Sequence, residues 1–140
     1  GIDISKKTLD ICMINAKKLH LNDRVRLFKS DIDNFNYGKY DLIVSNPPYI
    51  KKFDLRYLEK DVYGYEPILA LDGGIDGLLE IKKVICNSTK FIKRNGILII
   101  EIAFNQTDKV KRILKENGYY TKGVVKDLAG NNRCLISIKK

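Results

Sequence analysis

Strand-like and helix-like apolar patterns alternate along this chain until its C-terminal part, where two strand-like runs follow one another across a short turn-prone segment. That order restricts the fold to an α/β class: a doubly wound sheet with an antiparallel hairpin at one edge. Ser5 is a good N-cap, and Leu9, Cys12, Met13, Ala16 and Leu19 recur at helical spacing, so the segment from Lys6 to Leu19 reads as a helix. Val25 to Ser30 reads as a short strand running into a loop at Asp31. Asp41 to Ser45 is a second strand, whose continuous run Leu42-Ile43-Val44 suggests that helices cover both faces. A long, weakly periodic stretch from Ile50 to Asp76 follows, and a loop that long in a compact domain usually serves function. Leu78, Ile81, Ile85, Ser88 and Ile92 mark a helix ending at Asn95-Gly96, with Ile97 to Ile102 as a central strand. Val110, Ile113 and Leu114 mark a further helix closed at Asn117-Gly118. The runs Tyr119 to Lys126 and Arg133 to Ile138 make the hairpin around Gly130-Asn131-Asn132.

At 140 residues, 44% of them hydrophobic, the chain has the size of one domain and can bury a core. The 26 Lys and Arg against 17 Asp and Glu give +9, a balance that suits an acidic partner such as nucleic acid. The excess is mostly scattered Lys in a chain rich in Ile and Asn, which favours solvated surface instead. Cys12, Cys86 and Cys134 lie far apart among apolar neighbours and read as buried free thiols of a reducing cytosol. His20 has no companion at ligand spacing, so no metal site is expected. No apolar segment approaches the roughly 20 residues that span a bilayer. A cytoplasmic protein without membrane contact is the expectation.

Asn46-Pro47-Pro48-Tyr49 stands directly after the apolar strand, at the sheet end where open α/β folds bind ligands. Two prolines fix φ near −65° and remove N–H donors, which leaves nearby carbonyls available to a ligand. Asn46 can accept one N–H of a substrate NH₂ group while the Pro47 carbonyl accepts the other. With both hydrogens held, the nitrogen lone pair can be aimed at an electrophile, and catalysis rests on orientation and carbonyl dipoles. Tyr49 could stack on the flat group that carries the nitrogen. A surface turn is the ordinary alternative for such a motif.

Asp3 ends a strand just before a helix cap, where a carboxylate suits either ribose hydroxyls or routine helix capping. Asp31 follows the next strand in the same way. Two acids at neighbouring strand ends suit a nucleoside.

The segment Asp41-Leu42-Ile43-Val44-Ser45-Asn46-Pro47-Pro48-Tyr49-Ile50 resembles the motif of S-adenosylmethionine-dependent methyltransferases that modify planar nitrogens. Tyr65-Glu66-Pro67 and Ala70-Leu71-Asp72-Gly73-Gly74-Ile75-Asp76-Gly77-Leu78 narrow the resemblance to the release factor glutamine methyltransferases, the HemK/PrmC family. Gly96 to Ile102, Gln106 and Asp127 to Arg133 are similar to that family's closing segments, in order. The resemblance implies a Rossmann-like class I methyltransferase fold. It also implies methyl transfer from S-adenosylmethionine to the side-chain amide nitrogen, N5, of the glutamine in the Gly-Gly-Gln loop of peptide chain release factors. By matched position Asp3 would hold the cofactor ribose, and Asp31 and Ile32 would line the adenine. Asn46, Pro47, Pro48 and Tyr49 would bind the substrate glutamine, with Asn46 also near the cofactor and Asn46 and Pro47 catalytic. At Ile32 the family often carries an aromatic or other apolar residue against adenine, and Ile can pack there with less stacking. Glu66, Pro67 and Glu101 fall near the family's site and could brace loop and strand.

The Gly-x-Gly turn that would meet the methionine part of the cofactor, the first strand and an N-terminal helical domain would all precede Gly1. The 140 residues therefore read as a partial catalytic domain, with weak or no activity and poor stability expected of it alone. The runner-up is an N6-adenine or N2-guanine methyltransferase acting on DNA or RNA, since the same motif serves an exocyclic NH₂. A silent binding module is a third reading.

Overall fold

The computed structural model describes residues 1–58 and 67–140, and these divide into two compact units, Gly1–Tyr37 and Gly38–Lys140. Tyr65 and Glu66, singled out in the sequence, lie outside the described residues.

In the first unit, β1 (Ile2–Asp3) pairs in parallel with β2 (Phe28–Lys29), with α1 (Lys6–Lys18) between them. Ser5 caps α1 as anticipated, its side chain accepting the Thr8 N–H at 3.2 Å. Lys17 and Lys18 sit in the last turn, where positive charge favours the helix dipole. The α1 stripe is only partly covered: Ala16 is buried and Leu9 and Met13 half-buried, while Cys12 and Leu19 are exposed. Phe28 stacks edge-on to Phe35 and against Tyr37, with centroids 5.7 and 5.3 Å apart.

The second unit is a four-stranded sheet in the order β3-β4-β6-β5: β3 (Tyr40–Ser45), β4 (Ile92–Glu101), β5 (Tyr119–Lys126) and β6 (Asn132–Lys139). β3 and β4 run parallel, joined by a crossover that contains α2 (Leu79–Phe91). β6 pairs antiparallel with β4 and with β5, which is the hairpin anticipated at the sheet edge. It follows α3 (Thr107–Glu116).

Period 2 sorts β4 and β6 into two faces. Leu98 and Ile100 lie opposite Ser137 and Leu135 on one face, and all four are fully buried. Ile81 and Ile85 from α2 and Val110 and Leu114 from α3 close over the core with no exposed surface. Each such side chain contributes about 1.5–3 kcal/mol on burial. Ser88 and Tyr119 share a buried hydrogen bond of 2.7 Å, which satisfies the polar tip of a core aromatic. The opposite face carries Leu42, Val44, Ile97, Ile99, Ile136 and Ile138. Here the sequence expectation fails, for Leu42 is 51% and Val44 68% exposed, so β3 is not covered on both faces.

Two further expectations are corrected. α2 stops at Phe91, not Asn95, because buried Ile92 already pairs with Tyr40 of β3. The register then jumps to Leu42 opposite Ile97, and Asn95 takes a left-handed φ of 63° within β4, a conformation that Asn tolerates. The cysteines are free but not buried: Cys12 and Cys86 are exposed and Cys134 intermediate. Among the described residues, no helix is long and apolar enough to cross a membrane.

Candidate functional site

β3 delivers its C-terminal end beside that of β4, with Ser45 opposite Ile100. Asn46 follows as an exposed residue, then Pro47 is buried and Pro48, Tyr49 and Ile50 are half-buried. The Asn46 side chain has no hydrogen-bond partner among the described residues, nor have the carbonyls of Pro47 and Pro48. These residues, with Ala70 and Leu71, line a cavity of about 110 Å³. At roughly 30 Å³ per water, that is room for a group the size of an amide.

The turn is rigid for reasons beyond its prolines. Ile50 donates to the Leu71 carbonyl at 3.1 Å and accepts from Gly73 at 2.8 Å, and Lys52 donates to Gly74 at 2.9 Å. A short parallel bridge between Ile50 and Asp72 results. Gly73 and Gly77 are small because the Tyr49 backbone lies against them: a Cβ on Gly73 would come within 2.9 Å of the Tyr49 Cα. Asp76 accepts the Leu78 N–H at 2.9 Å and pairs with Lys82 at 3.0 Å, and these contacts, the backbone one foremost, hold its carboxyl below the usual range.

Gln106 fastens this loop to the core. Its Nε2 donates to the Tyr49 carbonyl at 3.2 Å and the Gly77 carbonyl at 3.0 Å, while Oε1 accepts the Ala103 N–H at 2.9 Å. The Tyr49 carbonyl is thus occupied, contrary to the expectation that carbonyls around the prolines stay available. The Tyr49 hydroxyl donates to Glu101 Oε1 at 3.1 Å. Burial, and then the Glu101 carboxylate, push the Tyr49 hydroxyl above its ordinary pKa. Arg133 stands nearby, its guanidinium held by Asp127 at 2.9 Å and reaching the Ile102 carbonyl at 3.5 Å. That ion pair and the Asn131 N–H keep the Asp127 carboxyl below the usual range. Glu101 is therefore a brace on Tyr49. Pro67 is exposed and precedes a short 3₁₀ turn, Ile68–Ala70.

The remaining sequence candidates fall in the first unit. Asp3 and Asp31 sit at or just beyond the C-terminal ends of the parallel strands β1 and β2. Asp3 Oδ1 accepts the Ser5 N–H at 2.7 Å, so capping geometry is present, and Oδ2 has no partner among the described residues. Both Asp31 oxygens are held by the Asn34 side-chain amide, at 2.9 and 2.8 Å, and Oδ1 also accepts the Asn34 N–H. Ile32 is half-buried next to it. Asp3, Asp31 and Ile32 thus form one group, and Asn46, Pro47, Pro48 and Tyr49 form the other.

Sequence reasoning noted Gln106 and Glu101 but gave neither a partner. The signal for Gln106 was faint: one of two adjacent amide side chains, Asn105 and Gln106, just before a helix start.

Comparison with known proteins agrees with this architecture. Residues 1–63 match the family model of the RMKL-like methyltransferase domain. A release factor glutamine methyltransferase of Clostridium acetobutylicum is 35% identical over 98% of this chain and 49% of its own length. A ribosomal protein uL3 glutamine methyltransferase of Francisella tularensis is 47% identical over 75% of this chain and 33% of its own length. A solved methyltransferase structure complexed with SAH superposes over 99% of this chain and 38% of its own, with a TM-score of 0.64 at 14% identity. The fold is that of the class I S-adenosylmethionine-dependent methyltransferases. The chain spans about half the length of the first of these two curated relatives and a third of the second.

Proposed function

We propose that this chain is part of an S-adenosylmethionine-dependent methyltransferase whose substrate is the side-chain amide of a protein glutamine, the one in the Gly-Gly-Gln loop of peptide chain release factors. The observation that carries the reading is the Asn46 amide at the end of β3, which like the Pro47 and Pro48 carbonyls has no partner among the described residues, beside a cavity with room for an amide. The glutamine methyltransferases among its relatives support a protein substrate.

In this mechanism Asn46 Oδ1 accepts one N–H of the substrate amide and the Pro47 carbonyl accepts the other. The nitrogen is oriented with its lone pair toward the methyl donor, and both oxygens favour the positive charge that develops on it. S-adenosylmethionine, when bound, would supply an electrophilic methyl group on a sulfonium, the S–C bond breaking to a neutral thioether as the N–C bond forms. After the N–C bond forms, the amide nitrogen gives up one proton to solvent, which reaches the exposed Asn46 end of the turn. Asp3, with one carboxylate oxygen still open, suits a ribose hydroxyl. Asp31 is held by Asn34, so it orders the turn while Ile32 offers the apolar surface to adenine.

Among the described residues β3 lies at the edge of its sheet, and a further strand along that edge, a Gly-rich cofactor turn and a helical domain would complete the site. Calorimetry should show cofactor affinity rising when these elements are added. Equal affinity with and without them would sink this part.

The substrate is tested with methyl-tritiated cofactor, offering release factor, a Gln→Ala loop variant of it, and duplex DNA or RNA. Label on the intact release factor alone is expected, lost in Asn46→Ala. Label on nucleic acid instead would overturn the reading in favour of a base methyltransferase.

A further inference from the structure

The residue next to the amide cavity is gripped at both of its polar ends by side chains from a single connection. The Tyr49 carbonyl accepts from Gln106 Nε2 at 3.2 Å, and the Tyr49 hydroxyl donates to Glu101 Oε1 at 3.1 Å. Glu101 ends β4 and Gln106 caps α3, so the chain between them is one short link anchored in the buried core. Neither grip is incidental. Gln106 is 4% exposed, and all of its hydrogen-bonding groups face the protein: Nε2 meets two carbonyls, and Oε1 meets the Ala103 N–H, which fixes which way the amide points. Next to Glu101 in the chain, the Ile102 carbonyl is reached at 3.5 Å by Arg133, whose guanidinium is itself held by Asp127 at 2.9 Å.

We infer that Glu101 and Gln106 are positioning residues for the substrate amide, acting through Tyr49. The inference rests on the amide-binding reading of the cavity. Tyr49 lines that cavity with Asn46, Pro47 and Pro48. The two prolines between Asn46 and Tyr49 leave few soft torsions, so a displacement of Tyr49 is passed on to the Pro47 carbonyl and Asn46. Hydrogen bonds to the substrate NH₂ weaken steeply as distance and angle depart from their preferred values. A loop that merely stayed folded would not suffice; the two acceptors must face one nitrogen. Gln106 sets the backbone position of the loop and Glu101 sets the ring direction.

The test uses the full chain labelled with ¹³Cζ-tyrosine and, as probe, an acetylated Gly-Gly-Gln peptide amide. Tyr49→Phe identifies the Tyr49 resonance, and Asn46→Ala establishes whether the probe binds through the amide site. Glu101→Ala and Gln106→Leu should each weaken probe binding by about tenfold, the loss of one hydrogen bond's worth of orientation. Glu101→Gln keeps an acceptor for the Tyr49 hydroxyl and should bind within about twofold of the parent chain. Gln106→Glu, which cannot donate to either carbonyl, should behave like Gln106→Leu. All titrations are run well below each variant's unfolding midpoint.

Lowered midpoints with unchanged probe affinity would show that the two residues only stabilise the loop, and would overturn the inference. So would equal losses in Glu101→Gln and Glu101→Ala. A probe that binds Asn46→Ala as well as the parent chain, or binds neither, refutes the amide reading itself and the inference with it. A probe lost in Asn46→Ala but retained in Glu101→Ala and Gln106→Leu refutes the inference alone.

Discussion

Gly77→Ala should be the most costly single-methyl addition in the loop region, and its cost can be worked from geometry. Gly77 sits at φ +72°, a left-handed conformation that an L residue adopts at a cost of about 1 kcal/mol. A Cβ there would stand 2.5 Å from the Tyr49 carbonyl oxygen and 2.8 Å from Gln106 Nε2. Neither neighbour can move freely, because the carbonyl and the amide are bonded to each other. Relief of the clash requires pulling Nε2 from its carbonyls, and a buried donor left unsatisfied costs about 1–3 kcal/mol. The sum is about 3 kcal/mol, a large part of the ~5–15 kcal/mol that holds a domain folded. Gly130→Ala is the matched control: Gly130 has φ +83°, yet a Cβ there meets nothing within 4 Å, so only the conformational cost of about 1 kcal/mol applies. Urea and thermal unfolding followed by far-ultraviolet circular dichroism should separate the two variants by about 2 kcal/mol, or roughly 7 °C in Tm. Two variants that differ by less than about 0.5 kcal/mol would refute the claim that the Tyr49, Gly77 and Gln106 contact is tight and structural.

The titrating groups give two further expectations. Asp127 is depressed in the folded chain by Arg133 and by backbone N–H groups, so its contribution is present above the ordinary carboxylate range and is lost as pH falls through the depressed value. Asp127→Asn should lower the urea midpoint near neutrality and flatten its decline below about pH 4; an unchanged acid limb would contradict the Arg133 pairing. Tyr49 is raised from its ordinary 10.0 by burial and Glu101, so its contribution is complete below that value and fades as pH climbs through the raised one. Tyr49→Phe should flatten the alkaline fall in the urea midpoint above about pH 10, and an identical alkaline limb would place that fall on other groups.

The elements with a complete period were legible without coordinates. Val110, Ile113 and Leu114 give α3, and β5 and β6 are separated by unmistakable turn residues, because local pattern and burial agree there. Ile92 was assigned to the wrong element for a physical reason: its apolar spacing continues α2, but pairing with Tyr40 takes it into β4, and Asn95 supplies the left-handed residue within the stretch where the register shifts. Leu42 and Val44 misled in another way. A run of apolar residues says that burial is favourable, not that a covering element is present, and their exposure could be learned only from coordinates.

The candidate site shows the same division more sharply. Asn46 and the two prolines announce themselves because their chemistry is local: an amide, two fixed torsions and a strand end adjoin in sequence. What makes the motif rigid is not local. Gln106 reaches Tyr49 across 57 positions, and the Glu101 to Tyr49 bond spans 52, so each requires the parallel pairing of β3 with β4 before it exists. The glycines at 73 and 77 enter the sequence only as part of the Ala70 to Leu78 motif, yet their absent side chains matter most for what the Tyr49 backbone occupies. A motif search therefore finds the groups that would touch a substrate and misses those that hold them still. The latter decide whether two carbonyl-type acceptors converge on one nitrogen or merely lie near it, and with it whether the turn can orient an amide for attack.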